Sequence, residues 1–141
     1  MTDNIVKAFH NRLTNSYWLS DVTKYKAIEK LHNIEFKIGC SNYTKNYDDL
    51  KINNDFLANI IEIRKFNCQQ LFNKLSEKPN RNEWVMNGFE TNACYHPSRN
   101  EIILPAGILS KNFYDNSFSI IKNYARLGSV IGHEIIHGFD D

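Results

Sequence analysis

The 141 residues are 42% hydrophobic and 13% aromatic, which suits one domain of ordinary size with a real core. Seventeen basic and sixteen acidic residues leave a formal net charge of +1, so bulk charge gives no reason to expect a nucleic-acid or anionic-membrane partner. Three scattered cysteines, Cys40, Cys68 and Cys94, argue against a disulfide framework and a cysteine-built zinc site, and as reduced thiols they fit a reducing compartment.

Met1-Thr2-Asp3-Asn4 lacks the basic stretch and apolar core of a signal peptide. No apolar run approaches the roughly 18–20 residues of a membrane span, and the chain is expected to be soluble as written. Residues 1–78 read as almost wholly helical. Ile5, Phe9 and Leu13 recur every four residues and share one helical face. Ser20 or Asp21 is a candidate N-cap for a second helix burying Ala27, Ile28 and Leu31, with Gly39 as its terminator. Cys40 to Asn54, rich in Asn, Asp, Tyr and Lys, reads as a loop. Asp55 caps a third helix whose wide apolar face, from Phe56 through Ile60, Ile63 and Leu71 to Leu75, predicts packing on more than one neighbour.

The texture changes after the break at Pro79-Asn80-Arg81-Asn82. Asn92–Tyr95 and Glu101–Leu104 flank the turn formers His96-Pro97-Ser98-Arg99-Asn100, which predicts a β-hairpin with a five-residue loop. Pro105 cannot donate to a ladder, so the second strand should end there or lie at an edge. From about Ser117 helical periodicity returns, with Leu127, Ile131, Ile135 and Phe139 every four residues.

That last helix carries His133-Glu134-Ile135-Ile136-His137. Positions i and i+4 of an α-helix lie about 40° apart around the axis and one turn apart along it. The imidazoles of His133 and His137 can therefore reach one Zn²⁺ ion. Glu134 is swung aside from the ligands but sits beside a water on the metal, which is the placement of a general base. Zinc lowers the pKa of such a water and polarises a carbonyl. Glu134 would take the proton during attack and hand it to the leaving amine. Asp140, three residues after His137, is a candidate acceptor for a ligating histidine's outer N–H. His96 and Arg99 read as a solvated residue and a turn residue. Gly128 and Gly132 read as permitting close helix packing, and His10 and His32 as structural.

Three stretches resemble the neprilysin/endothelin-converting-enzyme family of zinc metallopeptidases. Val130-Ile131-Gly132-His133-Glu134-Ile135-Ile136-His137-Gly138-Phe139-Asp140-Asp141 is similar to the family's active-site helix. Asn92-Ala93-Cys94-Tyr95 with Pro97 through Leu109 is similar to its substrate-aligning strand and hairpin. More loosely, Phe9-His10-Asn11-Arg12-Leu13, Trp18 and Lys37-Ile38-Gly39 resemble its helical approach to the site. The resemblance implies a zinc endopeptidase acting on peptide substrates, with Asn92 and Ala93 holding the substrate backbone along a strand edge. Cys94 departs from the family, where an aromatic is usual.

The resemblance also implies a third zinc ligand, a Glu in a Glu-x-x-x-Asp pattern on a later helix, and a transition-state histidine and an arginine later still. None of them lies within these residues, and Asp141 would reach a metal only by unwinding the last turn. Two imidazoles alone should hold zinc weakly. The expected fold is mainly α (α+β), a zincin-like catalytic-domain fragment with several helices, one small β-hairpin and a C-terminal active-site helix. The expected organisation is a single incomplete metallopeptidase domain over 1–141, with a helical region at 1–78, a substrate-strand region at 82–110 and a zinc-binding helix at 117–141. Association through surfaces left exposed is expected. The alternative function is a non-catalytic remnant or peptide-binding module of the same family. Family members are mostly membrane-anchored or secreted, some intracellular, so location stays open.

Overall fold

Two helices open the chain, α1 over Thr2–Thr14 and α2 over Asp21–His32. Ser20 starts α2 as its N-cap, accepting a hydrogen bond from the Thr23 amide at 3.2 Å. The computed structural model describes residues 1–43 and 45–140. Met1–Cys40 and Val85–Asp141 form one compact unit, and Ser41–Trp84 forms a second, inserted between its two halves.

The first unit contains a sheet larger than the expected hairpin. Strand β1 (Glu35–Gly39) lies in the region read as helical, and pairs in parallel with β3 (Glu101–Pro105). Strand β2 (Cys94–His96) pairs antiparallel on the other side, so the order is β1-β3-β2. Helix α2 therefore ends at Asn33, and Gly39, at φ +98°, ends a strand instead of a helix. The sequence hides β1 because its alternation points the wrong way. Phe36 is half-buried and Ile38 exposed, while Lys37 faces inward and is buried. Its Nζ lies 2.7 Å from Oε2 of Glu101, itself 1% exposed, so the inward position is filled by an ion pair spanning β1 and β3.

All five residues of β3 are buried, as a central strand covered on both faces requires. The strand ends at Pro105 as expected. Within the hairpin, Asn100 adopts the left-handed conformation at φ 51°. Its Nδ2 donates to the Lys30 carbonyl at 3.0 Å, one of the last carbonyls of α2, and its Oδ1 accepts from Tyr95 Oη at 2.9 Å. After β3 a 3₁₀ turn over Ala106–Leu109 runs close against the chain at Phe89 and Glu90. A Cβ at Gly107 would lie 2.4 Å from the Phe89 carbonyl oxygen, so only glycine fits.

The second unit contains α3 (Phe56–Lys74), N-capped by Asp55 through the Ala58 amide at 3.0 Å. Its apolar face does not bury as expected: no residue of α3 is buried, and Phe56, Leu57, Leu71 and Phe72 are exposed.

The last helical stretch begins at Ile120, not Ser117, with Ser119 as N-cap. It runs as α4 (Ile120–Asn123), a π-helical turn (Tyr124–Gly128) and α5 (Ser129–Ile136). Leu127, Ile131 and Ile135 are buried and join Leu13, Leu31, Ile102 and Leu104 in the core. At Gly128 a Cβ would press on Tyr124 of its own helical stretch at 3.2 Å and reach Met1 Sδ only at an ordinary 3.6 Å, and at Gly132 it would face open space, so neither glycine is needed for close approach of another helix.

Candidate functional site

Burial of Ile131 and Ile135 fixes the roll of α5, and the same rotation sets its chemical side chains. His133 and His137 emerge exposed, while Glu134 is held 6% exposed beneath them. The two Nε2 atoms approach to 3.0 Å, with the rings edge to face at a centroid distance of 4.5 Å. A tetrahedral ion with Zn–N bonds of about 2.0–2.1 Å sets two ligand nitrogens roughly 3.3 Å apart, so this spacing fits one shared metal. Oδ2 of Asp140 lies 3.4 Å from Nδ1 of His137, on the ring nitrogen away from the pair. An acceptor there keeps the proton on Nδ1 and leaves Nε2 free to ligate. Among the described residues no cluster of three His, Cys, Asp or Glu could hold a metal by itself. Asp141 lies outside the described residues.

Asn92 and Ala93 immediately precede β2, whose first residue is Cys94. Ala93 is buried and Asn92 exposed. Two hollows meet here. Both are lined by Asn92, Ala93, His133 and Glu134, one continuing past Tyr95, Pro97 and His137, the other past Ile108, Phe113 and Ser129. The predicted residues thus gather at the divide of a groove that opens to both sides. Among the described residues β2 pairs only with β3, which leaves its other edge free of a partner strand.

The sequence leaves part of the groove unmarked. Lys30, from α2, lines the first hollow, with Nζ 5.8 Å from the Tyr95 ring centroid and 5.5 Å from that of Phe139. Nothing local marks it, since its neighbours in space come from the far end of the chain. Tyr95 lies in the stretch that the resemblance had already singled out, and it lines the same hollow. Cys94 also lines the groove. Burial, then the negative charges of Glu134, Glu101 and Glu90, push its thiol above the ordinary cysteine value. It is a neutral thiol at pH 7 and a poor nucleophile.

Arg99 occupies the hairpin turn as expected, with Nη1 3.7 Å from Oε1 of Glu101. His96 is only partly solvated. It is half-buried opposite Glu101 at the end of β2, with Nδ1 enclosed and without a hydrogen-bond partner among the described residues.

Known proteins match the chain closely. A sequence profile described as peptidase family M13 matches residues 92–141, and a second with the same description matches residues 1–41. The chain is 38% identical to neutral endopeptidase of Lactobacillus helveticus over 144 residues, covering all of this chain and 22% of that protein. It is 39% identical to neprilysin of Mus musculus over 146 residues, covering 97% of this chain and 20% of that one. It thus spans about one fifth of the length of these curated relatives. In structure it is similar to a zinc metalloprotease of Mycobacterium tuberculosis solved with an inhibitor, with a TM-score of 0.96 and 35% identity over 99% of this chain and 22% of that one.

Proposed function

The chain belongs to peptidase family M13, and from that premise we propose that it supplies the metal pair, the base and the substrate strand of a zinc-dependent endopeptidase. The convergence of His133 and His137 on one point beside the buried Glu134, at the divide of a two-sided groove, carries this reading. When bound between the imidazoles, Zn²⁺ supplies Lewis acidity that polarises the scissile carbonyl and acidifies a water.

Glu134 accepts the proton of the attacking water on a carboxylate oxygen and returns it to the leaving amine nitrogen. Its enclosure keeps competing solvent from the carboxylate. Asn92 offers both a donor and an acceptor to the main chain of an extended peptide lying along the edge of β2. A groove open on both sides of Glu134 leaves room for substrate residues before and after the cleaved bond, as cleavage within a chain requires. Asp140 orients His137 through Nδ1.

A third metal ligand is not among the described residues, so tight zinc retention depends on a group from outside them. A second reading within the same family is a peptide-binding module that performs no hydrolysis.

Incubation of an unstructured peptide with the chain in excess zinc separates the two. Zinc-dependent cleavage that Glu134→Gln abolishes supports the endopeptidase. Peptide binding that Asn92→Ala weakens, without cleavage, supports the module. Neither cleavage nor binding rejects both. In this structure, among the described residues, no helix is long and apolar enough to cross a membrane.

A further inference from the structure

A second pair of imidazoles meets outside the groove. His10 on α1 and His32 in the last turn of α2 bring Nδ1 and Nε2 to 3.0 Å, with ring centroids 5.1 Å apart. The sequence separates them by a helix and a turn and gives neither a ligand's spacing. The core sets their meeting: Leu13, one turn beyond His10, and Leu31, beside His32, are both buried. The helices are therefore held by apolar packing, and the imidazoles lie together at the surface of that contact.

We propose that His10 and His32 form a second divalent transition-metal site, separate from His133 and His137, which staples α1 to α2. The nitrogen spacing repeats that of the first pair and fits the same tetrahedral edge of roughly 3.3 Å. Imidazole selects borderline cations of the zinc, nickel and copper group over magnesium or calcium. His32 is exposed, so water can complete the coordination shell.

The C-terminal end of α2 adds favourable partial negative charge to a cation held there. Without metal, one facing nitrogen must donate its N–H to the lone pair of the other. With metal, both facing nitrogens give lone pairs to the ion. The donor ring then carries its proton on its outer nitrogen, so two neutral rings bind the cation without net proton release.

The probe is Ni²⁺, titrated calorimetrically into the full chain carrying His133→Ala and His137→Ala. One equivalent should bind. Adding His10→Gln or His32→Gln should weaken that binding by more than about tenfold, the scale on which even an outer partner of a ligand counts. Ni²⁺ should raise the urea midpoint only when both histidines are present. An equivalent that persists in both glutamine variants, or no binding tighter than about 1 mM, overturns the site. A readout free of substitutions guards against misfolding. In the unaltered chain, Zn²⁺ should move the imidazole nitrogen resonances of His10 and His32 together, and movement confined to His133 and His137 overturns the proposal. Failure of the groove's own histidines to bind leaves the first result standing.

Discussion

Glu134 shows most clearly how position makes chemistry: a carboxylate kept under the surface between two exposed imidazoles. In zinc-loaded protein, Glu134→Gln should keep the metal and lower peptide hydrolysis by about 10²–10⁴, the usual contribution of a positioned base. Parallel zinc analysis and steady-state cleavage check this, and a matching loss of zinc would count against a base that is not a ligand. Cys94 gives a pH-dependent prediction. Its raised pKa means thiolate forms only at higher pH than for an ordinary cysteine. Iodoacetamide near pH 8 should label the exposed Cys40 and Cys68 first, with Cys94 following as pH rises, as read by peptide mass spectrometry. Equal rates for all three at pH 8 would contradict the enclosed thiol. His133, Glu134 and His137 were legible because helical spacing converts directly into direction. Asn92 and Ala93 were legible only through resemblance, since an Asn before a strand has no spacing of its own to read. Lys30 and the His10–His32 pair were hidden because their partners come from other elements.

Elements were legible where local chemistry decides them. Ser20 and Asp55 cap α2 and α3 as their side chains dictate, and Pro105 ends β3. Strand β1 was lost because its inward residue is Lys37, so the apolar alternation of Phe36 and Ile38 marks the more exposed side. A π-helical turn inserted before α5 was equally invisible, since one extra residue in a turn leaves no compositional trace. The hairpin depends heavily on Asn100, which combines a left-handed backbone with two side-chain hydrogen bonds. Asn100→Ala should destabilise the protein by about 2–4 kcal/mol, from the left-handed penalty and the lost bonds together. Urea unfolding measures it, and a change below about 0.5 kcal/mol would show that the turn does not hold the hairpin to α2.

Across the whole molecule, the mainly helical class with a small sheet was readable in advance, and the burial of its longest helix was not. A wide apolar stripe states that a face wants cover, but not whether cover is present. On α3, Phe56, Leu57, Leu71 and Phe72 remain exposed. Self-association of the chain should follow, rising with concentration in sedimentation velocity and reduced by Leu71→Lys with Phe72→Glu. A single monomeric species throughout the micromolar range would contradict it. The metal pair is the claim on which the functional reading rests, and the imidazole nitrogen resonances of His133 and His137, recorded as zinc is added, test it most directly. Both Nε2 signals should shift together to a common plateau in the native chain, and His137→Ala should abolish the plateau at His133. A titration to millimolar zinc that moves only one of them, or neither, would contradict a shared ion at this motif.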